Sequence, residues 1–275
     1  MWRMGLLKGI GRSNMNSKEL LDAVTSVPDV LGQIYSDLAS PSVKAVGDAL
    51  GTVFEFSTSF LLPVKLLNAK FKANFAKRLS EYQEKLEEIP ESRRCEVHPQ
   101  IGTPIVERLT YTTTDEIADL FTTLLAKASD SEQANLAHPS FISIIEHLST
   151  DEAKIIKYLK NRDSVEYCDF RGNNKESNGF LVILHRQTLL SRDIKLNYPQ
   201  NDLAYLANLE SLGILSDQIG LHKTSKVGEE EIKRYIGYDS MVEKLVPSTF
   251  KSISIHRSYF EVTDLGRMFI QACIK

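Results

Sequence analysis

The feature that most constrains this chain is a change of apolar period near residue 165. Before it, apolar residues recur every three or four positions, the spacing of one face of a helix. After it, runs such as 179–187, GFLVILHRQ, and 252–263 have the composition and alternation of strands. The expected fold is therefore mainly α: a helical N-terminal bundle followed by an α+β C-terminal domain. The expected divisions are an N-terminal segment, 1–40, a helical domain, 41–148, and a mixed domain, 149–275.

Segment 43–62, VKAVGDALGTVFEFSTSFLL, is nearly long enough to cross a bilayer. Asp48 and Glu55 interrupt it, and residues seven apart share a helix face. Thr52 and Ser59 extend the same polar stripe. Two carboxylates facing lipid would cost several kcal/mol. Three readings follow: a helix buried in a bundle with its stripe outward, an interfacial or oligomer-lining membrane helix, or an ordinary span. Asp48, Phe54, Glu55, Phe60 and Leu61 are the candidate membrane or assembly residues. The N-terminus, with Trp2, Arg3, Lys8 and Arg12, makes a poor signal peptide. It is either a frayed end or a short membrane-surface helix.

Along the rest of the helical half, 17–37 has helical spacing, with Pro28 kinking or splitting it. Segment 64–89 places Phe71, Phe75, Leu79, Tyr82 and Leu86 on one face. Its charges form either a solvated face or, through the lysines, a contact with anionic headgroups. Residues 90–102 read as a loop, followed by Thr103-Pro104 as N-cap and first helical residue. Thr113 to Glu116 fits a capping box, and Ser149 to Glu152 a second. Phe71, Phe75, Leu79, Leu120, Phe121, Leu124, Phe141, Ile145 and Ile156 are the expected core. In the C-terminal half, 171–178 reads as a loop, 201–213 as a helix stopped by Gly213, and 229–245 as a helix. Ile214-Leu215 reads as the start of a strand, 252–263 alternates like another, and Thr263 caps the last helix.

Chemistry-bearing motifs are scarce. The sequence holds no GxSxG elbow, no phosphate-binding GxxxxGK[ST] loop, no HExxH and no paired CxxC. Cys95 and His98 have metal-ligand spacing, but a structural zinc site needs four ligands and no second pair is present. His138 and His147 flank a helix and read as caps. Three scattered cysteines, Cys95, Cys168 and Cys273, suit a reducing compartment. The expectation is no enzyme, no cofactor and no metal, in a cytoplasmic protein that touches the inner membrane at most peripherally. A net charge of −3 gives no general electrostatic case for nucleic acid.

Two resemblances add to this. The helix at 150–160, the leucine-lined helix ending in Leu212-Gly213-Ile214-Leu215, and Tyr259-Phe260-Glu261-Val262-Thr263-Asp264-Leu265-Gly266 look like a winged-helix pattern. It departs from the DNA-binding version, because helix 201–212 carries Asp202 and Glu210 and no Lys or Arg. A groove-reading helix needs donors for bases and phosphates. The more specific resemblance lies in residues 97–160. Pro104, Leu109-x-Tyr111-Thr112, Asp115-Glu116, Leu120-Phe121, Leu124-Leu125-Ala126, His138-Pro139-Ser140-Phe141 and Leu148-Ser149-x-Asp151-Glu152-Ala153 resemble the bacterial abortive infection alpha family. The likeness spans roughly 41–160, with looser agreement toward the C-terminus. It implies phage defence in which an infected cell stops supporting the phage, a role and not a mechanism. With no assembled nucleophile, base or metal cluster, the expected mode is binding, assembly or membrane association, with a phage or host protein as trigger and a homo-oligomer or a membrane surface among the partners. The alternative is a winged-helix DNA-binding regulator. The resemblance defines no catalytic residues; Tyr111, Asp115, His138, Pro139, Phe141, Asp151 and Glu152 are family positions with structural explanations.

Overall fold

The computed structural model describes residues 69–224, 226–246 and 248–275. The segment 43–62, with Asp48, Phe54, Glu55, Phe60 and Leu61, lies outside them, as do the expectations for 1–40. The described residues are mixed α and β rather than purely helical.

The helical layer comprises α1 (Ala69–Glu87), α2 (Pro99–Leu109), α3 (Asp115–Ala128), α4 (Ser140–Glu146) and α5 (Thr150–Leu159). Among the described residues no strand precedes Ser164, although an isolated bridge joins Arg94 and Asp130. Helix α3 is the hub, packing against α1, α2, α5 and the C-terminal helix. Its alanines and small threonines let neighbours approach, and Leu124 and Leu125 are fully buried. All the expected core residues are buried except Phe71, whose side chain lies outside those described.

The starts of α2 and α3 differ from expectation. Helix α2 begins at Pro99, with the His98 side chain accepting the Gln100 N–H at 3.3 Å, so 99–102 is helix rather than loop. Pro104 then sits inside the helix, where its missing N–H frees the carbonyl of exposed Gln100. Helix α3 has Thr114 as N-cap and no side-chain cap bond, so the Thr113 box does not form. Arg78 fixes this connection instead, donating to the Thr112 and Thr113 carbonyls and to Asp115. The Ser149 to Glu152 box does form, with both of its reciprocal bonds.

After α5 come β1 (Ser164–Asn173), β2 (Phe180–Gln187), α6 (Leu190–Asp193), α7 (Asp202–Ser211), β3 (Leu215–Asp217), α8 (Val227–Ile236), α9 (Tyr238–Leu245), β4 (Ser252–Val262) and α10 (Asp264–Cys273). The sheet is antiparallel in the order β2-β1-β4-β3. Strand β1 reaches into the expected 171–178 loop. Its apolar alternation is broken because it is buried on both faces. Val165 and Tyr167 join the main core, while Cys168 and Phe170 pack with Ile232 beneath α8 and α9. The single helix expected at 229–245 is two, divided by Gly237 at φ +69°.

Gly213, at φ +74°, stops α7 as expected, and the Thr263 hydroxyl caps α10 by accepting the Gly266 N–H at 2.9 Å. Gly266 is needed there, since a Cβ would lie 2.3 Å from the Ile214 carbonyl oxygen. One apolar core runs from Phe75 to Ile274, so residues on both sides of the 148/149 division share it.

Candidate functional site

The β1–β4 ladder is regular, which assigns faces without ambiguity: Tyr167 pairs with Ser258, Asp169 with His256 and Arg171 with Ser254. Paired residues share a face. This face begins in the core at Tyr167 and Phe260 and becomes polar and exposed toward the β1–β2 hairpin. Strand β2 adds Val182 opposite Arg171 and Phe180 opposite Asn173, and its register shifts beside Phe170. The opposite face is covered by α8 and α9.

Arg186 organises the row. It is the one non-glycine residue at positive φ among the described residues, at +44°. That conformation costs an L-residue about 1–2 kcal/mol, so other contacts must hold it. Its backbone N–H donates to Asp169 Oδ1 at 2.8 Å. Its guanidinium crosses the sheet over the Tyr167 and Phe260 rings and pairs with Asp217 Oδ2 at 2.5 Å, off hydrogen-bond geometry. Tyr167 donates its hydroxyl proton to Asp217 Oδ1 at 2.7 Å. Burial, with Asp217 as acceptor, pushes the Tyr167 phenol up to about 12.

Further out, Asp169 also accepts from His185 Nδ1 at 3.0 Å and faces Arg171 at 3.4 Å. The Arg171 guanidinium lies 4.7 Å from the Phe180 ring centre. Phe180 and Val182 are 53% and 41% exposed, so the row ends in an apolar, solvent-facing rim. Sequence reasoning missed this site. The one available signal was His185-Arg186 closing an apolar run, and without β1 there was nothing to place it against.

The family positions lie elsewhere. Asp151, buried at 2% exposure, accepts from the Asn197 and Tyr198 N–H groups, the Tyr205 hydroxyl and Lys154. Burial raises its carboxyl pKa, but those donors outweigh it and hold it below the usual range. Glu152 closes its capping box and accepts from Asn208 at 2.7 Å, so these two acids bind α5 to α7. Asp115 pairs with Lys77 and Arg78, and the Lys77 hydrogen bond leads in lowering its pKa.

Tyr111 accepts from Arg108, which also pairs with Glu146. His138 Nδ1 accepts the Ser140 N–H just after Pro139, the N-cap of α4. Phe141 meets Phe269 of α10 edge-on at 5.4 Å. In the basic half of α1 Arg78 is 1% exposed rather than solvated, and Lys77 pairs with Asp115; further along, Lys85 bonds Asp119 and Thr122.

Burial raises the thiol pKa of all three cysteines, Cys168 to about 12. Burial thus disfavours the thiolate, the form a nucleophile needs. Cys95 and His98 instead serve the backbone, Cys95 Sγ donating to the Ala128 carbonyl at 3.7 Å. No cluster of metal-ligating side chains occurs among the described residues, and no described helix is long and apolar enough to cross a membrane.

No curated protein matches the chain. It is similar to the solved structure of an uncharacterized protein from the hydrocarbon-degrading marine bacterium Alcanivorax borkumensis SK2. That similarity has 17% identity, 53% coverage of this chain and 96% of that one, and a TM-score of 0.31. The family described as abortive infection alpha matches residues 68–273, reaching through the sheet and starting downstream of the apolar segment 43–62. With the motif residues, the capped α5 and the C-terminal sheet all inside that match, the chain belongs to the abortive infection alpha family.

Proposed function

We propose that this protein defends bacteria against phage by abortive infection, and that it acts by binding a phage or host protein rather than by catalysis of its own. Family membership supports the defence role. The observation that carries the binding mode is the row from Asp217 to Phe180, where a strained arginine anchors a set of charges that ends in an exposed aromatic rim. Arginine and aromatic side chains concentrate binding energy at protein interfaces.

A winged-helix-like C-terminal half used for packing and protein contact is part of the same proposal. Helix α7 carries Asp202 and Glu210 and no basic residue, which disfavours the DNA-binding regulator. Assembly into homo-oligomers and membrane contact through segment 43–62 belong to the same proposal.

The test is a plaque assay on cells with the wild type, with no gene, and with the F180S/V182S variant. Wild type should lower plaquing on a susceptible phage. The variant, changed only at exposed side chains, should restore plaques at equal protein level, and escaper phages should carry mutations in one gene. Full protection by the variant would move the binding surface elsewhere. No protection by the wild type across a broad phage panel would end the defence reading.

A further inference from the structure

Beyond the hairpin rim, a second surface stands out on the far edge of the sheet. Strand β3 ends in a tight turn, with the Leu221 N–H donating to the Gln218 carbonyl at 3.0 Å. Gly220, at φ +82°, supplies the positive φ that the third position of such a turn requires. The turn thrusts two aliphatic side chains outward, with Ile219 75% and Leu221 56% exposed, and Val227 follows at 65%. Single exposed apolar residues need no explanation, but two on one turn with a third close by, at the first residue of α8, do.

The base of the loop is anchored. The Gln218 N–H donates to the Tyr259 carbonyl at 2.9 Å, the Ser258 hydroxyl donates to the Gln218 carbonyl, and Arg257 donates to the Lys223 carbonyl.

Charge selects the occupant. The three acids at the start of α8 are each neutralised: Glu229 by Arg257 at 3.1 Å, Glu230 by Lys233 at 2.9 Å and Glu231 by Arg192 at 2.9 Å. Asp217, at the foot of the turn, is held by Arg186. Lys223 lies over the Tyr259 ring at 5.6 Å, and neither it nor Lys226 is ion-paired with a carboxylate among the described residues. Glu166, beside Gly228, is the acid nearby without an ion pair among the described residues, which leaves two lysines against one carboxylate. A loop tip of aliphatic side chains backed by this excess of cations complements the headgroup and acyl boundary of an anionic bilayer.

We infer that the Gln218–Leu221 turn, with Lys223 and Lys226, docks the protein peripherally on an anionic lipid surface. Ile219 and Leu221 enter the interface and the lysines face the headgroups.

Flotation of the full chain tests this with vesicles of phosphatidylglycerol and phosphatidylethanolamine against vesicles of phosphatidylcholine alone. Wild type should float with the anionic vesicles only. I219S/L221S should stay in solution with an unchanged melting curve. K223A/K226A should partition roughly thirty-fold more weakly, the equivalent of about 1 kcal/mol per lysine. F180S/V182S should float normally, which separates this surface from the phage-recognition rim. Three results overturn the inference: no flotation of the wild type, which would leave the loop to a protein partner; equal flotation on both vesicle types; or normal flotation of I219S/L221S, which would assign the membrane contact to another segment such as 43–62.

Discussion

The helical layer and the sheet both bury charge, but they use it differently. In the helical layer buried charge largely holds backbone, with Asp130, paired mainly to the Arg93 and Gln133 side chains, as the exception. Arg78 collects the Thr112 and Thr113 carbonyls as well as Glu81 and Asp115, fixing the α2–α3 connection. Asp151 collects two backbone N–H groups from the 197–198 connection. Such groups act as internal clamps, with little left to offer a partner. In the sheet, the Arg186 and Asp217 side chains are matched mainly to other side chains, at the cost of a strained backbone, and the row they begin ends in open solvent. Strain retained beside exposed aromatic and cationic groups is the usual mark of a surface kept for recognition.

The largest test of this contrast is in the helical core. Phe121→Ala should destabilise by about 3–5 kcal/mol, since α3 is packed on several sides and cannot collapse onto the void. A thermal melt unchanged by that substitution would mean the core is not shared as described.

Asp151→Ala should cost about 3 kcal/mol by stranding buried donors. Asp151 also sets a pH dependence. Its folded pKa is depressed, so its contribution is complete above the unfolded carboxylate range and is lost as pH falls through the folded value. Denaturant melts below about pH 4 should therefore weaken more steeply in wild type than in Asp151→Asn. Parallel slopes would show that Asp151 is not the clamp.

Arg186 offers a sharper comparison within the sheet. Arg186→Ala keeps the positive φ and loses the partner of buried Asp217, and about 2 kcal/mol is expected. Arg186→Gly loses the same partner but relieves the backbone, so it should be about 1 kcal/mol more stable than the alanine variant. Equal stabilities would remove strain from the account.

The smallest pair concerns caps. Ser149→Ala should cost about 1 kcal/mol, because its hydroxyl completes a formed box. Thr113→Ala should stay within about 0.5 kcal/mol, because the equivalent box is absent and only the Thr113 carbonyl is used.

These cases mark what was legible without coordinates. The core face of α3, the formed box at Ser149, the stop at Gly213 and the cap at Thr263 all depend on residues close in sequence or on a simple apolar period. Local stereochemistry and periodic burial therefore determined them. The Thr113 box does not form, and the connection before α3 is held instead by Arg78, more than thirty residues upstream, through the Thr112 and Thr113 carbonyls. Strand β1 escaped notice because two different cores claim its two faces, which erases the alternation a half-buried strand shows. The Asp169–Arg186–Asp217 row joins β1, β2 and β3 across a register that only the folded sheet sets. The sequence by itself thus determined where chain elements form and which faces turn inward. Tertiary structure alone decided which charges meet, because those partners lie far apart along the chain and come together only after the core has closed.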